Sequence, residues 1–224
     1  MERNVIKQLL AWKQKKNRKP LIVNGARQVG KTYILRDFGT KYYQKMAYVN
    51  CDKNEMVEKI FAQDYNIERI LLSLSALLHV NIEPENTLII FDEIQENPVV
   101  LNSLKYFCED APAYHVAVAG SLLGISLHSG TSFPVGKVDH MNMYPVTFSE
   151  FLEQRDARLY QYYMSIDSLE PLPDVFFDRL SQAFTAYRIS GGMPAVAMKM
   201  IEKDLNGVET TLRNILQDYS LDFV

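Results

Sequence analysis

The chain has 224 residues, 47% apolar and 23% charged, with a formal net charge of −3. This length suits one large domain or a core with a smaller companion, and the balance of charge excludes a molecule that binds polyanions over its whole surface. Two cysteines, Cys51 and Cys108, without C-x-x-C spacing, exclude a disulfide scaffold or a cysteine-ligated zinc and fit a reducing compartment.

Residues 3–19 predict an amphipathic helix, with Val5, Ile6, Leu9 and Leu10 at helical spacing and Trp12 or Lys13 next. Its end is basic: Lys13, Lys15, Lys16, Arg18 and Lys19. Such a run is either a patch for nucleic-acid phosphates or a solvated helix end with cations near its C-terminus. No aromatics interleave with the charge, which favours the second reading. No apolar leader follows Met1 and no run approaches the length of a membrane span, so the expectation is a cytoplasmic protein without membrane contact.

Residues 20–24 then predict a short strand, and Lys31 opens a helix to about residue 43. Between them runs Gly25-Ala26-Arg27-Gln28-Val29-Gly30-Lys31-Thr32, a G-x-x-x-x-G-K-T loop with the strand before it and the helix after it that a Walker A motif requires. A triphosphate is a dense anion, and backbone N–H groups wrapped around it supply donors without burying a bare charge. The amides that open the helix, through Tyr33, add partial positive charge. Gly25 and Gly30 allow close approach and backbone angles that a Cβ would hinder. Lys31 is expected on the β- and γ-phosphates and Thr32 on Mg²⁺.

Residues 46–51 predict a second strand, residues 54–62 and 65–79 two helices. Thr87-Leu88-Ile89-Ile90-Phe91-Asp92-Glu93 is a continuous apolar run that ends in two carboxylates. The run suits a strand buried on both faces of a parallel sheet, and the carboxyl ends of such strands are where open α/β sheets bind ligands. Asp92 is expected to hold Mg²⁺, largely through water, and Glu93 to polarise the attacking water. A helix follows from Asn97-Pro98, with Pro near its first turn. Residues 114–121 predict a fourth strand ending in Gly120-Ser121. Ser121 is either a polar sensor of the γ-phosphate or a turn residue. Residues 122–136 read as loop and 137–143 as strand five. Alternating strands and helices with short links predict a parallel sheet with right-handed crossovers.

From Thr147 the pattern becomes helical, with segments at 149–154, 159–164, 174–189, 194–202 and 207–224. The expected division is an ATPase core over 1–147 and a helical lid or linker over 148–224. The last helix meets no stop signal, so a further domain is expected after Val224. The four histidines, His79, His115, His128 and His140, have no metal-ligand spacing and read as packing or surface residues.

Five stretches in order carry a resemblance: Gly25–Thr32, Phe91-Asp92-Glu93-Ile94-Gln95, Ala119-Gly120-Ser121, Tyr144-Pro145-Val146-Thr147-Phe148-Ser149-Glu150-Phe151 and Gly191-Gly192-Met193-Pro194. Together they resemble a bacterial and archaeal family of AAA-type P-loop ATPases with a C-terminal domain of unknown function. The resemblance implies an α/β fold with a five-stranded sheet in the order 5-1-4-3-2, a helical lid, and ATP as the nucleotide. Where relatives carry Gly-Arg before strand five, this chain has Gly136-Lys137. Lysine lacks the planar fork of arginine. The finger is therefore Lys137 itself, Arg27, Arg155, Arg188 or a residue supplied by a partner.

The resulting expectation is a Mg²⁺-dependent ATPase that couples ATP or ADP to movement of a lid, a protein partner or a second copy. The alternative is a nucleotide-gated switch with little hydrolysis. A small-molecule kinase is disfavoured, because a kinase shields the γ-phosphate from water and Glu93 is placed to activate water.

Overall fold

Short β-rich runs, four to six residues each, pair side by side: β1 (Leu21–Asn24), β2 (Lys45–Asn50), β3 (Thr87–Asp92), β4 (His115–Ala119) and β5 (Asp139–Asn142). The computed structural model describes residues 3–120 and 134–222. All pairings are parallel and the order across the sheet is β2-β3-β4-β1-β5, the expected 5-1-4-3-2. The central strands β1, β3 and β4 are buried at every residue, which explains their unbroken apolar character, while the edge strand β5 buries only Met141.

The helices divide between the two faces. Ile89, Phe91, Val116 and Val118 pack with Val57 and Phe61 of α3 (Glu55–Gln63), Ile70 and Leu74 of α4 (Ile67–Leu78), and Leu104 and Phe107 of α5 (Pro98–Asp110). The alternate positions face the other layer, where α2 (Lys31–Tyr42) packs on β2, β3 and β4 and α1 (Val5–Gln14) packs on α2. At 25 cal/mol per Å², burying one such Leu or Phe is worth about 2 kcal/mol, so this double layer is the main source of stability.

The chain divides into two compact units, Val5–Met143 and Met1–Asn4 with Tyr144–Val224. The second contains α6 (Phe148–Arg155), α7 (Ala157–Met164), α8 (Asp174–Ser190), α9 (Pro194–Ile201) and α10 (Leu205–Asp222). Its core is Val146, Phe151, Val196, Ala197, Met200, Val208 and Ile215. Thr147 and Glu150 form a reciprocal capping box at the start of α6. Glu150 also accepts from the Arg3 guanidinium at 3.2 Å and from the Asn4 backbone N–H at 2.8 Å.

The first helix stops at Gln14, short of the expected residue 19. Beyond it the chain folds back: Trp12 Nε1 donates to the Lys19 carbonyl at 2.9 Å and Arg18 donates to the Lys13 carbonyl at 3.3 Å. The basic residues of this segment hold the sheet unit together. Lys13 bonds the Tyr42 carbonyl, Lys15 pairs with Asp139 at 2.7 Å, Arg18 reaches the Pro112 carbonyl at 3.1 Å, and Lys19 reaches the Gly136 carbonyl at 2.6 Å.

Candidate functional site

β1 delivers Gly25 at its carboxyl end, and the loop over residues 25–30 returns the chain into α2 at Lys31. Gly30 has φ 90°, and Gln28 also lies in the left-handed region at φ 63°. Val29 is fully buried and anchors the loop from below, while Ala26, Arg27 and Gln28 are exposed. Gly25 is required for a reason the motif alone does not give: a Cβ there would collide with the Met143 carbonyl oxygen and crowd Val29 Cγ2 at 3.2 Å. Met143 continues β5 and donates its N–H to the Asn24 carbonyl at 2.7 Å.

The start of α2 is built differently from its neighbours. α3, α4 and α5 each begin under an asparagine side chain, Asn54, Asn66 and Asn97, that accepts a first-turn N–H. α2 begins at Gly30 with no side-chain cap, so its opening amides keep their capacity for an anion. The Tyr33 side chain in the first turn is 63% exposed. The Lys31 ammonium rests on the Gly25 and Ala26 carbonyls at 2.8 and 2.9 Å.

β3 ends at the same edge of the sheet. Val23 is level with Ala119 across β1 and β4, and Phe91 is level with Val118 across β3 and β4. Two strand spacings therefore separate the tips of β1 and β3, about 10 Å. Lys31 senses the carboxylates across that gap: burial lowers its pKa, the charges of Glu93 and then Asp92 raise it, and Arg27 lowers it. Asp92 is buried at 5% exposure. Its Oδ2 accepts from the Tyr48 hydroxyl at 2.8 Å and its Oδ1 from the Glu93 N–H at 3.2 Å. Glu93 lies in the left-handed region, φ 51°, and leads into a short 3-10 turn, Ile94–Glu96, that the sequence pattern does not announce. Gln95 donates to Glu93 Oε2 at 2.6 Å.

Thr32 stands in the first turn of α2 and Asp92 at the tip of β3. A hydroxyl and a carboxylate are oxygen donors of the kind magnesium takes, one or two from the protein with water and phosphate oxygens completing its octahedron. Among the described residues no group of three or more His, Cys, Asp or Glu is arranged to hold a metal by itself. Ser121 lies outside the described residues; the preceding Gly120 is buried beyond the end of β4. Of the finger candidates, Lys137 pairs with Glu109 at 2.8 Å. Arg155 is exposed with its guanidinium 5.9 Å from the Phe151 ring centre, Arg188 is exposed on α8, and Arg27 sits in the loop itself.

Tyr48, Gln95 and Cys51 stand beside Asp92 and Glu93 although none is among the expected site residues. Tyr48 carries a pKa pushed up to about 12 by burial and by Asp92, and the Cys51 thiol is likewise pushed up to about 12 by burial and the two carboxylates. Cys51 is therefore an inert thiol. The signal for Tyr48 is the strand pattern: adjacent β2 and β3 place it on the Asp92 face, one diagonal step away.

A central parallel sheet with a phosphate-type loop after β1 and an acidic pair after β3 defines a P-loop nucleoside-triphosphatase fold. Residues 17–152, more than half of the chain, match a family model described as an AAA domain. The chain belongs to that family of AAA-type P-loop ATPases. No curated protein matches it. Among solved structures it is similar to the Walker-type ATPase PABY2304 of Pyrococcus abyssi, with 15% identity and a TM-score of 0.55 over 99% of this chain and 77% of that one. It is also similar to a variant of Thermotoga maritima RuvB, with 16% identity and a TM-score of 0.52 over 89% of this chain and 60% of that one. At these identities the likeness establishes the fold alone.

Proposed function

We propose that the chain binds ATP with Mg²⁺ at the carboxyl edge of the sheet and hydrolyses the γ-phosphate. The observation that carries this reading is the meeting of the uncapped α2 amides, Lys31 and the Asp92-Glu93 pair at one edge. In this reading the amides of residues 25–33 wrap the phosphates and Lys31 leaves the Gly25 and Ala26 carbonyls to meet them. The metal, when bound, would supply charge stabilisation of the transferring phosphoryl group, held by Thr32 and by Asp92 through water. Glu93 accepts a proton from the attacking water. A cation from Arg27, Arg155, Arg188, Lys137 or a second chain completes the charge balance, and Ser121 serves as the polar sensor. We place the protein in the cytoplasm, a reducing compartment that suits the free thiols of Cys51 and Cys108.

Two substitutions test this. Lys31→Ala should abolish measurable ATP binding. Glu93→Gln should keep binding while lowering turnover by roughly 10²–10⁴. Unchanged turnover in Glu93→Gln would remove it from the role of base.

A second reading, a nucleotide-gated switch with slow hydrolysis, draws support from the resting contacts. Gln95 occupies one oxygen of Glu93, and Lys137 is engaged by Glu109. Multiple-turnover phosphate release separates the two readings; rapid release from the chain alone argues against the switch.

A further inference from the structure

Three side chains join α2 to the tip of β3 on the face opposite α3, α4 and α5. Tyr48, on β2, donates its hydroxyl to Asp92 Oδ2 at 2.8 Å. The Arg36 guanidinium lies 4.9 Å from the centre of the Tyr48 ring. Arg36 follows Thr32 by four residues on α2, so the two project from the same side of that helix. The chain Arg36–Tyr48–Asp92 thus links the helix that carries one candidate magnesium residue to the strand that carries the other.

We infer that Tyr48 is a positioning residue for the magnesium site, setting the orientation of the Asp92 carboxylate, with Arg36 steadying its ring. The inference rests on the proposed reading of Thr32 and Asp92 as the residues that face the ion. With Oδ2 held by Tyr48 and Oδ1 by the Glu93 N–H, the carboxylate cannot turn freely. It is also poorly disposed to grip an ion with both oxygens. That geometry suits contact through water, and Mg²⁺ gives up its water reluctantly. A tyrosine at this place could serve packing alone, its hydroxyl merely finding a partner. Two features speak for more. The partner is the buried acid of the site itself, and the hydroxyl takes the one oxygen that the Glu93 N–H leaves, so both oxygens are fixed.

The test is a Mg²⁺ titration of the binding of a fluorescent ATP analogue to the full chain, repeated in EDTA. In Tyr48→Phe the half-saturating Mg²⁺ concentration should rise about tenfold, the scale of losing an outer-shell partner of a metal ligand. Affinity for the analogue in EDTA should stay at the parent value, and any fall in melting temperature should be no more than the loss of one hydrogen bond to a charged group explains. Arg36→Gln should shift the Mg²⁺ requirement in the same direction by less. In an Asp92→Asn background, Tyr48→Phe should add nothing, because its effect passes through the carboxylate. A Tyr48→Phe titration that superimposes on the parent, or a loss of binding equal in Mg²⁺ and in EDTA, overturns the inference and leaves the reading of the site standing. A parent chain whose nucleotide affinity ignores Mg²⁺ overturns both.

Discussion

Gly25 and Gly30 hold places in the same loop for different physical reasons. Gly30 adopts φ 90°, where a Cβ costs about 1–2 kcal/mol. Gly25 has no such angle; it is pressed against the Met143 carbonyl. Gly25→Ala should therefore destabilise the sheet unit by about 1–3 kcal/mol through overpacking, measured by urea denaturation, and should loosen the β1–β5 edge in hydrogen exchange. A loss of ATP affinity with unchanged stability would contradict this. The motif predicts both glycines, but only the fold distinguishes them. Lys31, Thr32, Asp92 and Glu93 are legible because phosphate chemistry fixes their spacing. Tyr48 becomes legible only once β2 is known to lie beside β3, since nothing in Met46–Asn50 alone says which strand its hydroxyl will meet.

Helix ends carry the next level of information. Asn54, Asn66 and Asn97 cap α3, α4 and α5, and Asn66→Ala should cost about 1 kcal/mol of stability in denaturant titration. Among α2 to α5, α2 alone starts without a side-chain cap. In the helical unit, the capping box of α6 is tied to Arg3 through the buried Glu150. Burial opposes the Glu150 charge, but N–H groups of Thr147 and Asn4 and the Arg3 guanidinium outweigh it and hold its pKa below the ordinary glutamate value of 4.5. A carboxyl with a depressed folded pKa contributes stability that is full above the unfolded value and is lost as pH falls through the folded one. The helical unit should therefore weaken below about pH 4.5, and Glu150→Gln should flatten that limb in pH-dependent denaturation. Glu150→Ala should cost about 1.5–3 kcal/mol at pH 7, the scale of hydrogen bonds to a charged group, while Arg3 keeps the Tyr144 carbonyl at 2.7 Å. The box is readable as Thr147-x-x-Glu150; its partner, more than a hundred residues earlier, is not. The short reach of α1 is hidden for the same reason, as Trp12 and Arg18 turn the chain back by contacts that periodicity cannot express.

For the whole molecule, the two edges of the sheet have separate work. The carboxyl edge gathers the loop and the acids. The amino edge is where Lys15 and Lys19 meet Asp139 and Gly136, at the start of β5. Those cations are occupied in holding strands, which explains why a basic run sits in a chain of net charge −3. Ligand binding at the carboxyl edge should stabilise the unit Val5–Met143 by about 2.7 kcal/mol at a hundredfold excess over Kd, visible as a rise in melting temperature with ATP and Mg²⁺ that Lys31→Ala abolishes. Parallel pairing is legible in the alternation of strands and helices, but the strand order is legible only through the family resemblance, since length and composition permit several windings of five parallel strands. Met143 closes the account of that unit. It is the last residue before the chain leaves for the helical unit, and its carbonyl bears directly on Gly25 at the root of the loop. Bulk added at the root of the loop would therefore be felt first at the residue with which the sheet unit ends.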